Sequence, residues 1–135
     1  MTTKQWLSRA TNMDDELSEL YEQLQKELSR LTSGTQNLSG DVIQSTQNPY
    51  KFDYFVELVE QYMSLMNKRY KEQTEILKAI NRSDKRVYRL ILMKHYIDGK
   101  TFETIAEELH LSDRHVKRLH GWALVEMGGI INAME

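Results

Sequence analysis

Residues 102–124 read FETIAEELHLSDRHVKRLHGWAL, and the phase of the apolar positions in this stretch decides the fold. Two helical runs meet at a short break, His110-Leu111-Ser112. In the first, Phe102, Ile105, Ala106 and Leu109 recur at helical spacing on one side, and Thr101 stands at the N-cap position. In the second, Ser112 is the cap. Val116, Leu119, Ala123 and Met127 step by three and four and face inward, with Leu124 beside them. Asp113, Arg114, Lys117, Arg118 and Gly121 fall on the other side.

Working back from this stretch, Asn81-Arg82-Ser83-Asp84 breaks an earlier helix and offers Ser83 as the cap of another, from about Asp84 to Ile97. Its expected inward positions are Val87, Leu90, Ile91 and Ile97, with Tyr96 close by. Asp98-Gly99 supplies the stop, with Gly99 in the left-handed conformation that helix ends often need. Residues 82–100 carry six basic side chains (Arg82, Lys85, Arg86, Arg89, Lys94, Lys100) against two acidic ones (Asp84, Asp98). Two short helices packed at a tight turn, with Ala106 small enough to let them approach, follow the logic of a helix-turn-helix. The second helix of such a motif enters the major groove with its N-terminal residues leading. Asp113, Arg114, Lys117 and Arg118 are then the expected DNA contacts, with Arg82, Lys85, Arg86 and Arg89 as a second set.

Further toward the N-terminus, Leu17, Tyr21, Leu24, Leu28 and Leu31 alternate spacings of four and three, the seam of a coiled coil. The same phase weakens backward through Asp14, Ala10 and Leu7, so either a break near Asn12 or a loosely packed leading turn bearing Trp6 is expected; Asn12 would cap a helix whose first turn holds Asp14, Asp15 and Glu16. After Leu31 the composition turns to Ser, Thr, Gly, Gln and Asn as far as Pro49, the signature of a mobile linker. Phe52, Val56, Val59, Met63, Met66, Tyr70, Gln73, Leu77 and Ile80 then step by four and three without a slip, predicting one helix over 50–80. Val56, Val59, Met63, Met66, Tyr70 and Leu77 are its expected oligomerisation positions. The two seams pair either as an antiparallel hairpin within the chain or between chains. Gln73 is a polar interruption, either tolerated or fixing register. The segments are therefore 1–32 helical, 33–49 linker, 50–80 long heptad helix and 81–135 DNA-binding domain.

Composition supports an all-α class. There is one Pro among 135 residues and the helix formers are abundant. Cysteine is absent, which removes disulfides and thiolate metal sites and suits a reducing cytoplasm. No apolar run approaches the roughly 18 residues that span a bilayer, so no membrane association is expected. The formal net charge of −2 is unevenly placed: residues 1–80 hold 9 Lys+Arg against 12 Asp+Glu, and residues 81–135 hold 9 against 8. His110, His115 and His120 are spaced by five, which turns successive residues through about 140° and makes no ligand face, so neither metal nor cofactor is expected. His120 is expected at the core edge and Trp122 as a packing anchor. No catalytic constellation stands out, so no enzyme is expected.

The run RVYRLILMKHYIDGKTFETIAEELHLSDRHVKRLHGWAL resembles region four of sigma-70 family factors through Tyr96, Gly99, Ile105, Ala106, Leu109, Leu111, Ser112, Val116 and Arg118. The wider layout, a helical front, a polar linker, a long helix and a terminal RLHGWAL, is similar to small regulators of Gram-positive phages and prophages of the RinA and ArpU type. These resemblances imply a regulator of transcription in the bacterial cytoplasm that binds duplex DNA as a homodimer or higher oligomer, with RNA polymerase as a candidate partner. Two alternatives stay open: the DNA-recognition small subunit of a packaging terminase, and an adaptor that binds polymerase or a host regulator without touching DNA.

Overall fold

The computed structural model describes residues 1–36 and 49–135, and among these residues every regular element is helical. In chain order they are α1 (Thr3–Leu7), a 3₁₀ turn (Thr11–Met13), α2 (Asp14–Gln36), α3 (Asp53–Ile80), α4 (Arg86–Leu92), a π turn (Met93–Ile97), α5 (Phe102–Leu109) and α6 (Asp113–Met134). None of these helices is long and apolar enough to cross a membrane.

The chain divides into two compact units that cut across the segments read from the sequence. One is Met1–Met13 with Arg69–Glu135, and the other is Asp14–Lys68. The division sharpens the charge asymmetry. The first unit holds 14 Lys+Arg against 10 Asp+Glu, whereas residues 14–68 hold 4 against 10.

The first unit is built around one apolar core. Ile76, Ala79 and Ile80 of α3 meet Tyr88, Ile91 and Leu92 of α4, Ile105 and Ala106 of α5, and Val116, Leu119, Ala123, Met127 and Ile131 of α6. Leu7 and Ala10, the weak end of the expected front seam, also sit fully buried in this core. α1 therefore docks on α6. It is closed by a capping box in which Thr2 Oγ1 accepts from Gln5 N and Gln5 Oε1 accepts from Thr2 N. Gly128 allows the approach, because a Cβ there would lie 3.2 Å from Thr3 Oγ1. Arg9 fixes the segment further, stacking 4.4 Å from the Trp6 ring and pairing with Glu72 at 2.7 Å and Glu75 at 3.1 Å.

The helix expected from Asp84 to Ile97 differs in its start and in its phase. It begins at Arg86 behind Lys85, whose side chain makes no cap bond. Ser83 is instead buried, its hydroxyl accepting from Lys85 N and its carbonyl accepting from Arg89 Nη1 at 2.7 Å. At Met93 the spacing widens, and Asp98 N donates to Met93 O. The extra residue in the turn rotates the positions beyond it relative to α4. Beyond the turn Tyr96 is buried and Ile97 half-buried; before it, within α4, Tyr88 is buried with the expected Ile91 and with Leu92, while Val87 and Leu90 are half-buried. Gly99 takes φ +71°, as expected of the stop.

In the second unit α2 and α3 lie antiparallel. Glu16 and Leu20 share a groove with Gln61, Ser64, Leu65 and Lys68, the Tyr21 and Tyr62 ring centroids are 6.2 Å apart, and Tyr54 Oη lies 3.5 Å from Gln23 Oε1. The facing sides coincide only in part with the expected seams. On α2 the seam positions Leu17 and Leu31 are buried and Leu24 is half-buried, whereas Tyr21 and Leu28 are 53% and 42% exposed and Glu27 is buried; on α3 Leu58 is buried, whereas Val56 and Met63 are 49% and 53% exposed. On α3 the internal stripe, Phe55, Leu58, Tyr62 and Leu65, lies one residue before the stripe read from the sequence. Glu27 is accommodated there by Arg30, whose Nε donates to it at 3.1 Å and holds its carboxyl below the usual carboxylate range. α2 also continues past Leu31 to Gln36. Thr32 and Ser33 satisfy their hydroxyls on the carbonyls of Leu28 and Arg30, a bond that lets such residues stay in a helix. The remainder of the expected linker, 37–48, lies outside the described residues.

Candidate functional site

The turn between α5 and α6 is fixed at both ends by local chemistry. Thr101 Oγ1 accepts from Thr104 N to open α5, and Ser112 Oγ accepts from His115 N to open α6. Between them α5 closes through His110 in the left-handed region (φ 58°, ψ 43°), with His110 N donating to Glu107 O and Leu111 N to Ala106 O. This pair of bonds is the Schellman closure, here made by a non-glycine residue.

The cap sets the phase of α6. Val116, Leu119, Ala123 and Met127 are buried, as their spacing predicts, and Asp113, Arg114, Lys117 and Arg118 are exposed on the other side of the first two turns. Among the described residues, no carboxylate pairs with Arg114, Lys117 or Arg118. The nearby acids of α5 do not serve them either. Glu108 turns the other way, taking Lys94 Nζ at 2.9 Å and Lys100 Nζ at 2.7 Å. The bond from Lys100, and then that from Lys94, holds the Glu108 carboxyl below its usual range, and the same contact raises Lys100.

The second basic set is mixed. Arg82 and Arg86 are exposed. Lys85 extends its ammonium 4.9 Å from the Tyr88 ring. Arg89 is half-buried and spends its guanidinium on Ser83 O.

Behind the exposed face of α6 lies a group of rings that the sequence pattern does not single out. His95 stacks on Phe102 with centroids 4.4 Å apart, its Nδ1 is 2.8 Å from Lys100 O, and His120 lies 4.8 Å from Phe102. Tyr96 Oη and His120 Nε2 share a 2.7 Å hydrogen bond. Burial, followed by the charge of His95 and Lys4, lowers His120 to about 4, and burial pushes Tyr96 up to about 12. Both partners are thus neutral near pH 7. His120 belongs to the core, 8% exposed, rather than to its edge. Trp122 is not a packing anchor: it is 53% exposed, and Val125 beside it is 78% exposed. Spacing places Tyr96 beside the inward positions and His120 near the core, but the π turn that shifts the phase at Met93 keeps periodicity from showing that the two side chains bond to each other.

Among the described residues, no group of three or more His, Asp or Glu side chains is placed to hold a metal ion. A cleft of about 710 Å³ is lined by Trp6, Arg9, Gly128, Ile131 and Asn132. Glu72 and Glu75 already neutralise the Arg9 guanidinium there.

The expected oligomerisation positions on α3 are Val56, Met63 and Tyr70, all exposed, and Val59, Met66 and Leu77, half-buried. Gln73 accepts from Arg69 Nη1 at 2.6 Å, and Arg69 Nη2 donates to Ile97 O at 3.2 Å. The seam's polar residue is thereby engaged within the first unit, and its last member, Ile80, is fully buried in that unit's core. No family model, curated protein or solved structure matches the chain.

Proposed function

We propose that the chain is a duplex-DNA-binding regulator of transcription, of the phage or prophage type, whose α5-turn-α6 segment acts as a helix-turn-helix like region four of sigma-70 factors. The observation that carries this reading is the first two turns of α6. Arg114, Lys117 and Arg118 stand exposed and unpaired among the described residues, on a helix whose other side is locked into a core. Their unit carries an excess of four basic residues over acidic ones. Lys117 and the two arginines neutralise phosphate, and an arginine reads guanine with a bidentate pair of bonds worth about 1–3 kcal/mol of discrimination. Arg82 and Arg86 extend the contact along the phosphate backbone, with Lys85 and Arg89 behind them. The protein binds rather than catalyses, and it acts in the cytoplasm of a bacterial host.

A single module of this size covers little DNA, so useful specificity needs a second copy or a second DNA-bound protein. The α2–α3 region supplies the coiled-coil-like means of association. Trp122 and Val125, exposed next to the basic turns, favour an additional protein contact, for which RNA polymerase is the candidate. The test is retention on duplex DNA across a salt series, for the unaltered chain and for Arg114→Ala with Arg118→Ala. A steep salt slope that falls by about two in the variant is expected. No slope and unchanged retention would overturn DNA binding and leave the adaptor reading. Light scattering distinguishes a dimer from the larger ring expected of a terminase subunit.

A further inference from the structure

We infer that a second copy of this chain covers the exposed stripe of α3, and that the two α3 helices lie antiparallel across a two-fold axis near Met63. The inference rests on reading that stripe as an oligomerisation face and does not depend on DNA contact.

α3 carries two apolar stripes one residue apart. Phe55, Leu58, Tyr62 and Leu65 form the inner one, of which Leu58 is buried and the others are half-buried. Val56, Val59, Met63, Met66 and Tyr70 form the outer one, about 21 Å long at 1.5 Å per residue. On α2 the exposed Tyr21 and Leu28 stand in the same relation, one residue after the inner positions Leu20 and Glu27. An equal offset on two antiparallel helices turns both outer stripes to the same side of the hairpin. The result is one continuous apolar face carrying Tyr21, Leu28, Val56 and Met63, too ordered in its heptad spacing to be scattered surface apolarity.

The orientation of the partner follows from the charges along the outer edge of that face. Asp53 and Glu60 occupy its N-terminal part, and Lys71 and Lys78 its C-terminal part. All four are exposed, and none is ion-paired within the described residues. Parallel copies would set Asp53 beside Asp53 and Lys71 beside Lys71. An antiparallel pair centred on Met63 sets Val56 of one copy against Tyr70 of the other and brings Asp53 alongside Lys71. By the two-fold axis, every such acid–base pair occurs twice.

The absence of cysteine makes any introduced thiol unique. In the full chain, Met63→Cys should cross-link on mild oxidation. Val56→Cys alone should not, and Val56→Cys mixed with Tyr70→Cys should. Asp53→Lys should weaken dimerisation at low salt by roughly two- to twentyfold, and Lys71→Asp in the same chain should restore it. Cross-linking of Val56→Cys with itself would overturn the antiparallel arrangement while leaving oligomerisation intact. A monomer at high micromolar concentration, with an unaltered helical circular dichroism spectrum, would overturn both. A dimer that shows no salt-dependent DNA retention would leave this inference standing and remove the proposed function.

Discussion

The hydroxyl of Tyr96 on the π turn and Nε2 of His120 on α6 lie 2.7 Å apart in the core of the first unit. This buried bond ties the turn before α5 to the helix after it. His120 sits at about 4 when folded, well below its ordinary value of 6.5. Between those values the unfolded chain binds a proton that the folded chain does not, so stability falls as pH drops from 6.5 and the loss is complete near pH 4. The shift corresponds to about 3 kcal/mol at most. Urea denaturation at pH 7 and pH 5 should show the loss, and His120→Gln should flatten it. Tyr96→Phe should cost about 1–3 kcal/mol at pH 7, because the imidazole nitrogen is left buried without its partner.

The left-handed His110 gives a prediction of the opposite sign. A side chain at φ 58° costs roughly 1–2 kcal/mol that glycine does not incur. His110→Gly should therefore raise stability by a few tenths to about 1 kcal/mol after the extra freedom of the unfolded chain is deducted. Ser112→Ala, two residues on, removes the cap bond to His115 N and should cost about 1 kcal/mol. Thermal melting of the two variants should move the midpoint in opposite directions.

Trp122 offers a test that separates packing from binding. Its exposure predicts that Trp122→Ala changes stability by no more than about 0.5 kcal/mol. A fall of several kcal/mol in chemical denaturation would show that the indole holds the core.

Phosphate contacts of the proposed interface should be individually countable. Lys117→Ala should lower the slope of log affinity against log salt by about one, whatever the DNA sequence, whereas an arginine that reads a base should change the preference at one position. Arg89→Ala, by contrast, should act mainly on stability, because its guanidinium holds Ser83 O.

The readable and unreadable parts of this fold differ in a physical way. α5 and α6 were legible because each carries one apolar stripe, a hydroxyl cap and a polar remainder, so spacing admits one solution. α3 was not, because Phe55, Leu58, Tyr62 and Leu65 form a second stripe with the same heptad rhythm one residue earlier. Periodicity cannot say which of two overlapping stripes a chain will use on itself, and the more regular one proved to be the outer. The docking of α1 joins Leu7 to a core that also holds Ile131, a contact across more than a hundred residues that no local pattern announces. Likewise the exposed arginines of α6 follow from their phase, whereas Arg89 has a helical position like theirs and a wholly different task, set by the turn that buries Ser83.

The docking of α1 on α6 also bears on the order of events during synthesis. Leu7 leaves the ribosome more than a hundred residues ahead of Ile131, yet both belong to one core. The residues between them that form the other unit have been made long before that core can close. The basic turns of α6 are thus displayed on a finished scaffold only once α6 itself has emerged. A chain interrupted after the α2–α3 segment would retain the apolar stripe without the basic face.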